Sequence, residues 1–167
     1  MSQVLRKYQP VVGHFLSLLL VGATVVSADD LSERAELETV ELHDFLADWF
    51  TGRLPQTQEA FARFDDAIAQ DFVIVSPNGS VAERSSIVGA VYDDWGRWKG
   101  DDSAAIEVKN ARFRHRGKGL SVVTYEEWQT TKNGTVVRLS SVVLRNNKKA
   151  PLGVEWVHLH ETWMPQD

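Results

Sequence analysis

An Asn-Gly dipeptide between two strand-like runs constrains this chain more than any other local feature. Asn133-Gly134 separates Leu120 to Thr131 from Val136 to Arg145, and both runs are rich in valine, threonine and bulky apolar residues. Asn-Gly favours the type I′ turn, which joins two antiparallel strands through a two-residue loop. The sequence therefore predicts a β-hairpin at this point.

The register of this hairpin follows from the turn. With Asn133-Gly134 as the loop, Lys132 faces Thr135, and Trp128 faces Leu139 four residues further along each strand. One face then carries Val122, Thr124, Glu126, Trp128, Leu139, Ser141 and Val143. The other carries Val123, Tyr125, Glu127, Gln129, Arg138, Ser140, Val142 and Leu144. Both faces are mixed, so we expect helices to cover one and a partner subunit the other.

The remaining pattern places helices before the strands. Helical spacing of apolar residues predicts three helices, and Thr57 is the expected N-cap of the second. The helices lie within Leu31 to Thr51, at about Thr57 to Gln70 and at about Ser85 to Trp95. Further strands are predicted at Phe72 to Ser76, Ala104 to Arg114 and Val154 to Met164. This order is typical of an α+β domain.

The first 28 residues have the pattern of an export signal. Arg6 and Lys7 precede an apolar run from Val11 to Val26, and Val26-Ser27-Ala28 fits a cleavage site. We expect a signal peptide at 1–28, a domain at 29–167, and a periplasmic or secreted protein. The alternatives are an uncleaved anchor and an over-long start. Cleavage would change the net charge from −5 to −7, because two basic residues and no acid are lost. Such an acidic chain is not expected to bind nucleic acid.

The composition excludes several kinds of chemistry. The chain has no cysteine, so disulfides, thiolate metal sites and cysteine nucleophiles are ruled out. No glycine-rich phosphate loop, Ser-His-Asp order or nucleotide fingerprint is present, and we expect no cofactor. Six tryptophans are many for 167 residues and indicate large aromatic surfaces in a core, pocket or interface.

The C-terminal run WVHLHETWM, at 156–164, contains two histidines two residues apart. Alternation along a strand places Trp156, His158, His160 and Thr162 on one face and Val157, Leu159, Glu161 and Trp163 on the other. His158 and His160, about 7 Å apart, could share a metal ion, but no third ligand accompanies them. We expect no metal site, and we interpret both histidines as structural or interface residues.

Glu161 is the candidate catalytic residue of this run. It shares its face with Val157, Leu159 and Trp163, which are apolar and should point toward the core or a pocket. A carboxylate in such surroundings has a raised pKa unless it is paired, and a general base needs such a pKa. The alternative is a salt bridge with an arginine such as Arg84, Arg97 or Arg138.

Three segments of the strand region resemble a known family: TYEEWQ at 124–129, SSVVLR at 140–145 and WVHLHET at 156–162. With the order of elements, they are similar to the nuclear transport factor 2-like superfamily, including the SnoaL-like proteins. They look most like the association domain of calcium/calmodulin-dependent protein kinase II and its small bacterial relatives. The resemblance implies a cone-like, curved antiparallel sheet wrapped around N-terminal helices, with a central pocket, and a homodimer formed through the sheet.

The resemblance also suggests site residues. The kinase-type domain has pocket arginines at the positions of Glu127, Ser141 and Glu161, so two acids and a hydroxyl replace three cations. A ligand that is apolar or cationic is therefore expected, with Trp128, Leu159 and Trp163 supplying surface. The hairpin register places Ser141 and Glu127 on opposite faces. A β-bulge would reconcile the two assignments, and without one Glu126 is the alternative pocket residue.

Other polar and aromatic groups are given simpler interpretations. His43, Asp44 and Asp48 are expected on the solvated side of the first helix, and the basic run from Arg112 to Lys118 at a solvated hairpin tip. Three aromatic residues at near-helical spacing either roof the pocket or pack in the core: Tyr92, Trp95 and Trp98.

Three functional hypotheses remain open. The first is an exported domain that binds a small molecule. The second is an isomerase, lyase or hydrolase in which Glu161 transfers a proton. The third is an oligomerisation module with a vestigial pocket. The second hypothesis fails if Glu161 is exposed or held in a bidentate pair with an arginine.

Overall fold

The computed structural model describes residues 28–165, without the side chains of 28–30, 115 and 116. The helices are α1 (Ala28–Phe50), α2 (Gln58–Asp65) and α3 (Arg84–Asp93). The strands are β1 (Ile68–Val75), β2 (Val81–Glu83), β3 (Ala105–Gly117), β4 (Leu120–Thr131), β5 (Gly134–Asn146) and β6 (Val154–Trp163). The predicted α+β class is confirmed. The predicted signal segment lies almost entirely outside the described residues.

The six strands form one curved, unclosed sheet in the order β2-β1-β6-β5-β4-β3. Strands β3 to β6 are the predicted antiparallel meander, and β1 runs parallel to β6. The helices cover the inner face of the sheet, which is the face that carries Val123, Val142 and Leu144, all fully buried. Within residues 28–165, no helix is long and apolar enough to span a membrane.

Helix α1 is the central helix of the core. Leu42, Phe45 and Trp49 follow its apolar stripe and are buried, as their helical spacing predicts. Trp49 Nε1 donates a hydrogen bond of 2.8 Å to the carbonyl of Val91, which fixes α1 to α3. A large aromatic ring thus fills the core while its only polar atom is satisfied by the neighbouring helix.

The segment after α1 differs from the prediction in two places. Thr57 is the N-cap of α2, with its hydroxyl accepting from Ala60 N at 3.2 Å, as predicted. The helix ends at Asp65, however, and Ile68 begins strand β1, so the predicted helix was too long and the predicted strand too short. The short strand β2 was not predicted. It pairs with β1 across the Asn78-Gly79 turn and has only three residues, too few to show an alternating pattern.

The hairpin of β4 and β5 forms where predicted, but its register differs by two residues. Thr131 pairs with Gly134, so Lys132 and Asn133 are the loop, and Trp128 lies opposite Val137 instead of Leu139. The backbone N–H of Lys132 donates to Asp101 at 2.8 Å, which holds this residue in the turn. Because the shift is an even number, every residue keeps its predicted face.

Strand β6 contains a β-bulge at Val157. Leu144 pairs with Trp156 while Val143 pairs with His158, so Val157 has no opposite residue on β5. The alternation therefore changes phase inside the motif. Trp156 is 2% exposed and faces the core, so its predicted placement beside the histidines was wrong. His158, His160 and Glu161, which follow the bulge, keep their predicted faces.

Candidate functional site

A cavity of about 210 Å³ lies between α1, α3 and the inner face of the sheet. Most of its wall is apolar: Leu42, Leu46, Phe50, Phe64, Ile68, Phe72, Ile74, Ile87, Ala90, Val91, Trp156 and Leu159. The polar lining consists of His43, Asp94, Arg97, Glu127, Gln129, Arg138 and Glu161. An apolar wall with a few convergent polar groups is the usual composition of a small-molecule site.

His43 projects from α1 into this polar group. Its side chain is 4% exposed, its Nδ1 lies 2.6 Å from the carbonyl of Thr39, and its Nε2 lies 3.5 Å from Glu127 Oε2. Burial lowers the pKa of His43, but the hydrogen bond and charge of Glu127 raise it, and the net direction is upward. Both ring nitrogens thus face acceptors, which suits an imidazolium. The prediction that His43 is solvated was wrong.

Glu127 is the anion at the centre of the cluster. Arg138 Nη2 donates to its Oε1, and Gln129 Nε2 donates to the same oxygen at 2.6 Å. Burial raises the pKa of Glu127, but the hydrogen bond and charge of His43 and the charge of Arg138 outweigh it and lower the pKa to about 2. Glu127 is therefore ionised at neutral pH, with the Arg138 guanidinium and the His43 imidazole as its partners.

Of the two adjacent glutamates, Glu127 points into the cavity. Glu126 lies on the outer face, where it accepts from Trp128 Nε1 at 3.0 Å and from Asn110 Nδ2 at 2.9 Å. Because β4 and β5 pair without a break, the faces simply alternate. The alternative in which Glu126 replaces Glu127 in the pocket does not occur.

Glu161 lies beside this ion pair and is only 5% exposed. Its sole described ion pair is with Arg138, whose Nη1 lies 3.5 Å from Oε2, the limit of a hydrogen bond. Burial raises the pKa of Glu161 to about 7, the nearby charge of Arg138 lowers it less, and the Glu127 charge adds to the rise. The other suggested partners bind elsewhere: Arg84 pairs with Asp65, and Arg97 pairs with Asp94. Glu161 is thus buried and not held in a bidentate pair.

The other predicted ligand-binding residues divide into two groups. Leu159 lines the cavity. Trp163 pairs with Arg138 and shares its face, but it is 52% exposed, and its ring centroid lies 5.9 Å from the guanidinium carbon. Trp128 and Ser141 lie on the outer face, so placing them in the pocket was wrong. The bulge that would have turned Ser141 inward is absent from this hairpin, and Ser141 instead lies between Thr124 and His160.

Sequence reasoning missed two residues of the site, His43 and Trp156, and it named Arg138 only as a possible partner of Glu161. His43 had a detectable signal, because it lies three residues before Leu46 and seven before Phe50, which is the spacing of one helix face. Arg138 was already on the predicted inner face with Glu127. Trp156 had no such signal, since its orientation depends on the bulge at Val157.

The remaining candidates lie outside the cavity. His158 and His160 are on the outer face, and residues 28–165 bring together no group of three or more potential metal ligands. Asp44 is exposed and Asp48 pairs with Arg53, consistent with a solvated helix side. Of the two placements predicted for three aromatic residues, core packing is the one observed, and none of them lines the cavity: Tyr92, Trp95 and Trp98.

The charges of the cluster define its chemistry. One permanent cation, Arg138, and the titratable imidazole of His43 surround one permanent anion, Glu127, and one titratable acid, Glu161. When His43 is protonated, the group carries a net positive charge with Glu161 protonated and is neutral with Glu161 ionised. Glu161 can therefore either donate or accept a hydrogen bond toward the cavity near neutral pH.

Comparisons with known proteins agree on the fold. Residues 35–165 match the family model described as sucrose-6-phosphate phosphohydrolase C-terminal. An NTF-2 like protein of unknown function from Pseudomonas aeruginosa is 26% identical, with a TM-score of 0.67, over 80% of this chain and 98% of that one. The CaMKII hub of S. rosetta is 13% identical, with a TM-score of 0.59, over 80% and 96%.

A putative Ca/calmodulin-dependent kinase II association domain from Exiguobacterium sibiricum is 14% identical, with a TM-score of 0.53, over 84% of this chain and 97% of that one. A search of curated proteins found no match. The predicted resemblance to the nuclear transport factor 2-like superfamily is confirmed by these structures. The chain has the nuclear transport factor 2-like fold and belongs to the sucrose-6-phosphate phosphohydrolase C-terminal family.

Proposed function

We propose that this protein binds a small, mostly apolar molecule in the cavity between α1, α3 and the sheet. The observation that carries the proposal is the composition of the wall: a dozen apolar side chains meet one buried polar cluster. Contact between the apolar wall and an apolar ligand removes both surfaces from water, which favours binding. The polar cluster then orients a single polar group of the ligand. Glu161 and Arg138 are the groups that we expect to contact that polar end.

The charges favour a neutral polar end over a cationic one. The expectation of a cationic ligand rested on Glu127 and Glu161 acting as two free acids. Glu127 is already compensated by Arg138 and His43, so a cation would gain little from it. Glu161, with its pKa raised to about 7, is protonated in much of the population at neutral pH and suits a neutral acceptor such as a carbonyl oxygen.

A thermal-shift screen of small neutral molecules tests this proposal. Ile87 is a half-buried wall residue on α3, and Ile87→Trp should fill part of the cavity. The control is Val81→Trp on β2, which is 65% exposed and outside the cavity. We expect compounds that raise the melting temperature of the wild type and of Val81→Trp but not of Ile87→Trp. Hits that stabilise all three proteins equally would contradict binding in the cavity.

Proton transfer by Glu161 is the second candidate function. It is favoured by one observation, a buried carboxylate facing an apolar cavity with a pKa near neutrality. Such a group can remove a proton from a carbon next to a carbonyl and return it at a neighbouring position. Ligands from the screen should then exchange hydrogen for deuterium in ²H₂O. The exchange should be lost in Glu161→Gln, and exchange that survives this substitution would exclude the role.

A homodimer through the outer face of the sheet is the third element of the proposal. CaMKII hub and association domains are among the structures with this fold. In this chain Leu139 lies on the outer face of β5 and is 50% exposed, with His160 exposed on the adjoining strand. Covering an exposed leucine in the middle of a sheet face with a second copy removes apolar surface from water, which favours association.

A further inference from the structure

A second, polar depression adjoins the cavity. It lies between the segment that follows α3 and the tip of the β4–β5 hairpin, has a volume of about 550 Å³, and is called here the hairpin groove. Its polar side chains include Gln129, Thr131, Asn133 and Thr135. Arg97 and Gln129 line both the groove and the cavity, so the two spaces meet at these residues.

Arg97 is held at this junction by stacking. Its guanidinium carbon lies 3.8 Å from the centroid of the Phe50 ring and 4.7 Å from that of Trp98, and Nη1 donates to Asp94 at 2.7 Å. Phe50 and Asp94 line the cavity, whereas Trp98 lines the groove. The Arg97 side chain therefore contacts residues of both spaces, and its planar guanidinium lies at the boundary between the cavity and the groove.

Basic side chains collect where the groove meets a smaller cleft. This cleft of about 140 Å³ shares Arg97, Trp98, Thr131 and Asn133 with the groove and adds Lys99, Lys132 and Asp101. Asp101 already accepts hydrogen bonds from the backbone of Lys132 and from Ser103. Three cations, Arg97, Lys99 and Lys132, thus line the groove and the adjoining cleft against two carboxylates, Asp101 and the Asp94 that pairs with Arg97. This local excess stands out in a chain whose net charge is −5. A local excess of positive charge on an acidic protein favours an anionic group at that point.

We propose that cavity and groove form one two-part site for an amphipathic molecule, whose apolar body fills the cavity and whose anionic head lies where the hairpin groove meets the adjoining cleft, beside Arg97, Lys99 and Lys132. This inference rests on the proposed binding function and names the ligand class. The neutral polar contact with Glu161 lies at the buried end of the body, and the anionic head lies at the open end. A charged head in the groove stays hydrated while it gains charge-assisted hydrogen bonds.

Matched ligands with and without the head test the inference. Octan-1-ol and octyl sulfate have the same alkyl body, and each is titrated against bound N-phenyl-1-naphthylamine, a neutral fluorescent probe for the cavity. We expect octyl sulfate to displace the probe at a concentration about tenfold lower than octan-1-ol. The double variant Lys99→Gln, Lys132→Gln should reduce that ratio to about twofold or less, because only the head contacts these lysines.

The outcomes separate this inference from the function on which it rests. Equal potency of the two ligands, or an advantage of octyl sulfate that survives the lysine substitutions, would overturn the two-part site and leave cavity binding intact. No displacement by either ligand, together with no saturable binding of the probe, would contradict cavity binding itself. Adding 150 mM sodium chloride should shrink the ratio in the wild type, because the head contact is electrostatic.

Discussion

His43 Nε2 lies 3.5 Å from Glu127 Oε2, so one residue of α1 and one of β4 form an ion pair inside the core. Both side chains are 4% exposed. The pair joins the central helix to the sheet at the polar end of the cavity, and Arg138 completes the compensation of Glu127. The polar end of the site is therefore also part of the structural core.

Replacing His43 should lower the free energy of unfolding, because Glu127 is left with one partner fewer. We expect His43→Leu to lower the free energy of unfolding by about 3 kcal/mol, because a buried carboxylate loses a charged neighbour. His43→Gln keeps a hydrogen-bond donor and should cost less. Urea denaturation at pH 6 measures both. An equal loss in the two variants would show that the imidazole acts by packing alone.

The same pair predicts a pH dependence. The folded-state pKa of His43 is raised, so the stabilisation is complete below the unfolded value near 6.5 and is lost as pH rises through the folded value. Glu127, whose pKa is lowered to about 2, adds stability above its unfolded value of 4.5 that is lost as pH falls toward 2. Denaturation midpoints across pH should show both falls in the wild type, and in His43→Gln the alkaline fall should shrink to the part that Glu161 causes.

Glu161 should also lower the stability as pH rises, but through the burial of a carboxylate instead of the loss of an ion pair. Its pKa rises from 4.5 to about 7 on folding, so the folded state loses stability as pH rises through that interval. Glu161→Gln removes the titration. The variant should match the wild type at pH 4.5 and exceed its free energy of unfolding by about 3 kcal/mol at pH 8. Parallel curves for the two proteins would place the Glu161 carboxyl in a more hydrated environment than the structure shows.

Two arginine–carboxylate pairs should differ in strength because they differ in burial. Arg63 donates to both oxygens of Glu38 at 3.0 Å, and Glu38 is fully buried. Arg145 donates to both oxygens of Asp71 at 2.9 Å, but the Asp71 side chain is 65% exposed. Arg63→Met should cost about 3 kcal/mol, and Asp71→Asn, which leaves the pair of Arg145 with Glu155 in place, about 1 kcal/mol or less. Calorimetric melting at one pH compares them, and a reversed ranking would refute the dependence on burial.

Leu139→Lys tests the proposed homodimer. Leu139 pairs with Glu126 on one side and Thr162 on the other, in the middle of the outer face, so a lysine there should prevent a second copy from packing. Light scattering after size exclusion should give a dimer for the wild type and a monomer for the variant. Val81→Lys, on the edge strand β2, should remain dimeric. A wild type that is monomeric at micromolar concentration would rule out the interface.

Local patterns predicted the strand half of this protein well. Strand β4 has the predicted bounds, Leu120 to Thr131, and the residues of β4 and β5 keep their predicted faces despite the two-residue shift in register. Alternation is a property of each strand, so it survives an error in the turn. The loop itself depends on the distant Asp101, which binds the Lys132 backbone, and no local pattern contains that contact.

The site could be predicted only in part, for similar reasons. Glu127, Leu159 and Glu161 were placed on the inner side because each lies in regular strand. Trp156 was misplaced because one unpaired residue, Val157, changes the phase of β6. His43 was misplaced because a histidine among acidic residues suggests solvent, whereas its carboxylate partner comes from β4, 84 positions along the chain. Contacts between distant segments therefore decide which polar residues are buried.

The most direct test of the account is a titration of the protein with N-phenyl-1-naphthylamine, followed by probe emission. We predict saturable binding of one probe per chain, weakened at least tenfold by Ile87→Trp in the cavity wall and retained in the exposed control Val81→Trp. Emission that rises without saturation, or that is the same in all three proteins, would contradict the claim that this cavity binds a small apolar molecule.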